Sequence, residues 1–324
     1  MQSVLFVSLG FYNYDNKITE TIKNLGYEVT QFTPIGNYNT FEKLYNAFTK
    51  GNFLKKKCLK RQKKFMNDNP KKYDYVLVIV GRHLDPKLLE EYRKAQPQAK
   101  FILYLWDDIA RVEGYEQNKG FYDEIYSFDL KDVEEYGVKH HPLFYVPDYL
   151  YKDDDKKYTL SLSGTLHSGR VSLWDKIMTK YSLNPKDCFL FLLGTQMKHY
   201  FQAVLPSKDK WMSLKYIHIT GMNLEEMAII MRQSKVSLDV QFGSQAGLTI
   251  RTFESLASKT KLITTNPYVK KYDFYEYGNI CVVDKDNPEV PSDFFDTPYK
   301  EIPSEITDKY SLDSWVFTML GKSK

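Results

Sequence analysis

The sequence predicts an α/β protein made of two Rossmann-like, doubly wound domains in tandem. Three observations carry that expectation. Short apolar runs of strand length alternate with helical patterns along the chain, the alternation breaks once at a charged stretch and then restarts, and 324 residues suffice for two domains of roughly 150 each. Strands alternating with helices form βαβ units, and these build parallel sheets.

The elements can be justified in order. Strand-like runs lie at 4–8, 27–32, 75–80, 101–105 and 124–128, with helical stripes such as Ile18, Ile22 and Leu25, then Leu88, Leu89 and Tyr92, between them. After Pro142 and Pro147, the stretch Asp148 to Lys157 holds Asp153, Asp154, Asp155, Lys156 and Lys157 and little core-forming pattern, as an interdomain linker does. The first domain is therefore expected at 1–150 and the second at 151–310. The second series comprises strands at 159–163, 189–193, 216–219, 236–240, 262–265 and 280–283, with helices near 171–181, from Leu224 and from Gly247. A final stripe, Leu312, Trp315, Val316 and Leu320, has no strand after it, and 311–324 is expected to be a helix crossing back to the first domain. Ligands of open α/β sheets bind outside the carboxyl ends of the strands, so two such sheets facing across a cleft would bind theirs there.

Composition removes several function classes. Forty-five Lys plus Arg against 41 Asp plus Glu give a formal charge of +4, too small for a wholesale nucleic-acid binder, and no nucleic-acid partner is expected. Cys58, Cys188 and Cys281 form no C-x-x-C pair, which argues against a disulfide framework or a cysteine zinc site. The N-terminal run lacks a positive n-region, and no window reaches ~18 uninterrupted apolar residues. A cytoplasmic protein that does not span a membrane is expected.

Three segments could carry chemistry. In the first, Gln245-Ala-Gly-Leu-Thr-Ile-Arg-Thr-Phe-Glu254, a Gly-containing loop opens a helix between two strands. Free amides at Gly247, Leu248 and Thr249 would suit a diphosphate, and Arg251 and Glu254, three apart, would share a face. The alternative is an Arg–Glu pair on an exposed helix surface. In the second, Ser161-Leu-Ser-Gly-Thr-Leu-His-Ser-Gly-Arg170, a strand runs through a Gly-punctuated loop into a helix, a geometry for phosphate approach that could equally be a plain βα turn. Dinucleotide and P-loop fingerprints are absent.

The third segment, 50–64, carries Lys55, Lys56, Lys57, Lys60, Arg61, Lys63 and Lys64 without an acidic residue, interleaved with Phe53, Leu54 and Leu59. It is expected to be a basic amphipathic helix lying on an anionic membrane. A solvated charge face and a nucleic-acid patch are the alternatives.

The segment around Glu254, with Tyr216-Ile-His-Ile-Thr-Gly221 and Leu224-Glu-Glu-Met upstream, resembles the nucleotide-binding region of GT-B glycosyltransferases, especially those of bacterial capsule and lipopolysaccharide synthesis. The resemblance implies a nucleotide-sugar donor held by Gly164, Thr165, Arg170, Gly221, Gln245, Gly247, Leu248, Thr249, Arg251 and Glu254, with Glu254 on the ribose and Arg170 on the diphosphate. It implies a surface-glycan or lipid-linked acceptor, no cofactor and no metal. The E-x7-E pattern of many retaining members is missing, because Ala246 stands eight before Glu254.

Phe101 to Asp108 in the first domain also resembles a capsule-type segment, and Gly10 and Trp106 fall on the acceptor side. The base that takes the acceptor proton is sought among Asp107, Asp108 and His83, carboxylates at a strand end or an imidazole that titrates near working pH; each could instead cap a helix. The remaining histidines lack H-x-x-x-H spacing, and the D-x-D pairs Asp153/Asp155 and Asp284/Asp286 do not outweigh the two-sheet organisation. The expected activity is sugar transfer. A nucleotide-sugar epimerase or hydrolase on the same fold and a non-catalytic two-lobed binding protein are the alternatives.

Overall fold

The computed structural model describes residues 1–10, 13–166, 169–194, 216–241, 243 and 245–321. It divides into two compact units, Met1–Pro142 with Asp313–Lys324, and Leu143–Leu312.

The first unit is a parallel sheet of six strands: β1 (Ser3–Val7), β2 (Glu28–Phe32), β3 (Tyr75–Ile79), β4 (Lys100–Leu105), β5 (Glu124–Ser127) and β6 (Lys139–His140). They lie in the order β2-β1-β3-β4-β5-β6. Among the described residues four helices precede β4: α1 (Tyr14–Asn24), α2 (Thr40–Phe48), α3 (Asn52–Asp68) and α4 (Pro86–Ala95). Strands covered on both faces read as continuous apolar runs rather than alternations, and Val4 to Val7 and Phe101 to Leu105 are buried throughout. The C-terminal helix Leu312–Met319 places Trp315 edge-on against Tyr104, ring centroids 4.9 Å apart.

The second unit repeats the plan with β7 (Tyr158–Thr165), β8 (Cys188–Leu193), β9 (Ile217–His218), β10 (Ser234–Asp239), β11 (Lys261–Thr264) and β12 (Ile280–Val282), in the order β12-β11-β10-β7-β8-β9, all parallel. Leu160, Leu162, Val236, Leu238 and Ile263 of this sheet pack against Val171, Trp174 and Ile177 of the helix Arg170–Lys180.

The units divide ahead of the boundary expected at 150, because the expected linker belongs to the second unit. Leu143, Phe144, Val146 and Tyr149 are buried there, Tyr145 exchanges backbone hydrogen bonds with Tyr310 and Leu312, and Tyr151 N–H bonds Ala257. Two of the charges that resembled a solvated linker are engaged, while Asp153, Asp155 and Lys157 are exposed: Asp154 pairs with Arg232 at 2.7 Å, and Lys156 Nζ donates to the carbonyls of Ser258 and Lys259.

In each sheet the chain reverses its direction of winding at one place, between β1 and β3 in the first and between β7 and β10 in the second. A crevice opens at such a switch point, outside the carboxyl ends of the strands.

Candidate functional site

The switch point of the second unit gathers four charged side chains. β7 ends at Ser163, Gly164 and Thr165, and its neighbour β10 ends at Asp239. The helix Ile250–Ala257 starts nearby with Thr249 as its N-cap. Thr249 Oγ1 does not cap that helix but donates to Asp239 Oδ2 at 3.0 Å. The first-turn amides therefore have no side-chain cap, and they carry the positive end of the helix dipole.

Arg251 Nη2 donates to the carbonyl of Ser163 at 2.9 Å, and its Nη1 lies 3.1 Å from Glu254 Oε2. Glu254 is only 1% exposed. The pair is thus an interior one, and the exposed-surface alternative does not hold. Arg170 Nη1 donates to the carbonyl of Thr165 at 2.7 Å, while its Nε is buried with no hydrogen-bond partner among the described residues. Burial lowers the Arg170 guanidinium to about 10 against the support of Asp239. Burial raises the Asp239 carboxyl, and Arg170 and Arg251 pull it back down. Asp239 thus lies within the electrostatic reach of both arginines, with Thr249 as its hydrogen-bond donor.

Three details differ from the sequence reading. The helix begins at Ile250, so Gly247, Leu248 and Thr249 precede it and the available amides are those of its first turn. Leu248 is buried, so it could meet a ligand only through its main chain. Gly164 serves Arg170: a Cβ there would stand 2.6 Å from Arg170 Nη1, so the missing side chain leaves room for the guanidinium. Asp239 is not among the residues the sequence singles out, because an acid inside the run Val236 to Val240 carries no site signal of its own. Gln245 is half-buried ahead of Ala246, and Gly221 is exposed just before the capped helix Leu224–Arg232. His167 and Ser168 of the β7 loop lie outside the described residues.

In the first unit, β3 and its neighbour β4 bring the three base candidates to one sheet end. Asp107 Oδ2 pairs with Arg82 at 3.0 Å and Asp108 Oδ2 with Arg111 at 3.0 Å, while Arg82 also donates to the Arg111 carbonyl. Asp108 sits at the N-cap position of a short 3-10 turn without a side-chain cap bond, so its partner is Arg111. Burial raises the Asp107 carboxyl and lowers the His83 imidazole.

The loop carrying His83 leaves β3 through Val80 at φ 64°, a left-handed conformation costly for a β-branched residue. Gly81 N–H bonds back to Ile79 at 2.8 Å, and Gln62 of α3 braces the loop by donating to His83 O and accepting from Asp85 N–H. Strained backbone of this kind persists only where its surroundings over-determine it. At the neighbouring β1 end, Gly10 N–H donates to Asp15 at 2.9 Å, and Trp106 meets Tyr14 edge-on.

The basic segment is helical as expected, but its apolar residues point inward. Phe65 stacks on Phe32 at 4.4 Å, and Phe53, Leu54 and Leu59 are half-buried. Lys57 is paired with Glu42, Arg61 donates to the Thr33 carbonyl, and Lys64 pairs with Asp68. Lys55, Lys56, Lys60 and Lys63 are exposed. Among the described residues no three His, Cys, Asp or Glu side chains gather as a metal site would require, and no helix is long and apolar enough to cross a membrane. Asp284 accepts from the Asp286 and Asn287 amides within its own turn.

No protein-family model matches the chain, and no curated protein matches it in sequence. Solved structures do resemble it in three dimensions. A trehalose-6-phosphate synthase superposes with a TM-score of 0.61 at 10% identity, covering 99% of this chain and 98% of its own. An α-glucosyltransferase in complex with UDP and DNA gives 0.58 at 13% identity over 99% and 95%. The UDP-GlcNAc 2-epimerase of Methanocaldococcus jannaschii gives 0.53 at 10% identity over 99% and 100%. The two Rossmann-like units, each with a parallel six-stranded sheet, thus give this chain the GT-B fold that such glycosyltransferases and epimerases share.

Proposed function

We propose that the chain is a glycosyltransferase that moves a sugar from a nucleoside diphosphate sugar to a hydroxyl of a growing bacterial surface glycan. The observation that supports this reading is the half-buried Arg170, whose Nε is buried with no hydrogen-bond partner among the described residues, beside a helix start without a side-chain cap at the switch point of β7 and β10. A diphosphate supplies acceptors for both, and charge-assisted hydrogen bonds of this kind are the strong ones.

In the transfer step an acceptor oxygen bonds to the anomeric carbon as the bond to the β-phosphate oxygen breaks. The acceptor proton passes to a base drawn from Asp107, Asp108 and His83. Arg170, Arg251 and the helix dipole stabilise charge as it gathers on the leaving diphosphate. The carbonyls of Thr165 and Ser163 hold Arg170 and Arg251, Glu254 pairs with Arg251, and Glu254 can also accept from ribose hydroxyls. With two guanidiniums assigned to the leaving group, turnover should persist in EDTA. The exposed Lys55, Lys56, Lys60 and Lys63 of α3 would hold the enzyme at the inner face of the cytoplasmic membrane, near a lipid-linked acceptor.

Fold likeness to a UDP-GlcNAc 2-epimerase keeps epimerisation or hydrolysis as the second reading. Incubation with UDP-sugars, with and without a lipid-linked saccharide, separates the two. Transfer predicts UDP release that depends on acceptor and leaves labelled sugar on it. Acceptor-independent appearance of an epimer or of free sugar would establish the second reading, and binding without turnover of any donor would point to a two-lobed binding protein.

A further inference from the structure

We infer that α2 is the element that enters an anionic lipid surface, with its aromatic stripe inserted at headgroup depth while the lysines of α3 hold the surface. The inference rests on the membrane-facing reading of α3 and replaces the part of it that gave insertion to the interleaved residues of α3.

Phe41 and Phe48 are each 84% exposed, Leu44 66% and Tyr45 55%. Spacings of three, four and seven put these four on one side of a nine-residue helix. Single exposed apolar side chains are ordinary on protein surfaces, but four in one stripe are not. The stripe is not the face that α2 uses to dock. Glu42, Asn46 and Thr49 make that contact: Glu42 pairs with Lys57 at 2.7 Å, Asn46 Oδ1 accepts from Leu54 N–H, and Thr49 Oγ1 accepts from Phe53 N–H. Tyr45 bridges the two faces, meeting Phe53 edge-on at 5.2 Å and stacking with Phe48.

Charge complementarity selects the occupant. Residues 43–67 contain eight Lys, one Arg and no Asp or Glu. On α3, Lys56, Lys60 and Lys63 recur at helical spacing opposite the buried Cys58 and Gln62, so they form its outer face. A short helix with an aromatic stripe beside an unbroken cationic face suits a surface that is apolar beneath and negative above, which is the boundary of an anionic bilayer.

The test uses the full chain and phosphatidylcholine vesicles with and without phosphatidylglycerol. Wild type should bind only the anionic vesicles at physiological salt. Phe41→Ser/Leu44→Ser/Phe48→Ser should weaken that binding at least tenfold while leaving nucleotide binding unchanged, since these exposed side chains support no core. Phe48→Trp should gain quenching by brominated acyl chains over the wild-type background. If Lys56→Glu/Lys60→Glu/Lys63→Glu abolishes binding while the serine variant binds as wild type and Phe48→Trp gains no quenching, insertion by α2 is wrong and the electrostatic reading of α3 stands. Wild type that ignores anionic vesicles defeats both. A wild-type dimer that the serine variant dissolves, with vesicle binding unchanged, would make the stripe a self-association face and overturn the inference.

Discussion

Arg170 occupies the space that a side chain at Gly164 would need: a Cβ there would fall 2.6 Å from Arg170 Nη1 and 3.1 Å from its Cζ. The glycine therefore acts through the arginine. Because the obstructed atoms end a flexible side chain, the fold can absorb a methyl group, but the guanidinium cannot stay where it is.

Gly164→Ala is accordingly expected to shift Arg170 without unfolding the second unit. A charge-assisted hydrogen bond is worth about 1.5–3 kcal/mol, so nucleoside diphosphate affinity should fall about tenfold or more. Thermal melting and calorimetry on the same preparation check both halves. Unchanged affinity would mean that Arg170 does not contact the ligand.

Glu254 carries a structural load as well as its proposed ribose contact. Its side chain is 2% exposed and that of Arg251 14%, with 3.1 Å between them. Removing one member of a buried pair leaves the other uncompensated, at a cost of roughly 3–5 kcal/mol. Glu254→Ala should therefore destabilise the fold by about that order in urea unfolding, contrary to the expectation for a carboxylate on a helix surface, and Glu254→Gln should cost less. A 2′-deoxyribose diphosphate should bind wild type less well than its ribose form, with the difference lost in Glu254→Gln. Equal stability of wild type and Glu254→Ala would contradict the buried pair.

The acid limb of the pH–rate profile is set by the base. Burial raises Asp107 from its ordinary 3.8 and lowers His83 from 6.5. A base works deprotonated, so kcat/KM should rise with pH and level off, with its inflection above 3.8 if Asp107 is the base and below 6.5 if His83 is. An inflection above 6.5 would exclude His83 in this environment, and one below 3.8 would exclude Asp107. Asp107→Asn and His83→Ala then separate them, because loss of the true base should cost roughly 100- to 10,000-fold in turnover with donor affinity kept.

Most strands were legible in the sequence because a strand buried on both faces leaves an unbroken apolar run, as at Val4 to Val7 or Phe101 to Leu105. The two-residue strand β6 leaves no such run. Arg170, Arg251 and Glu254 could be picked out because each lies near a Gly-containing βα loop. Asp239 could not, since the arginines whose charge reaches it are remote in sequence and one acid ending a strand has no pattern of its own. Charge also misled at Asp154 and Lys156, whose partners Arg232 and Ser258 lie far along the chain. The inward turn of Phe53, Leu54 and Phe65 is likewise a matter of packing, which periodicity alone does not assign.

The central claim is that the switch point of β7 and β10 grips a diphosphate through Arg170, and titration calorimetry with UDP and UMP on wild type and Arg170→Gln tests it most directly. UDP is the probe because it is the nucleotide bound in the similar α-glucosyltransferase. Wild type should prefer UDP to UMP by at least tenfold, and Arg170→Gln should lose most of that preference while binding UMP as before, because a β-phosphate without its guanidinium forfeits about 1.5–3 kcal/mol. An Arg170→Gln protein that keeps the full preference for UDP, or a wild type that binds neither nucleotide, would contradict the account.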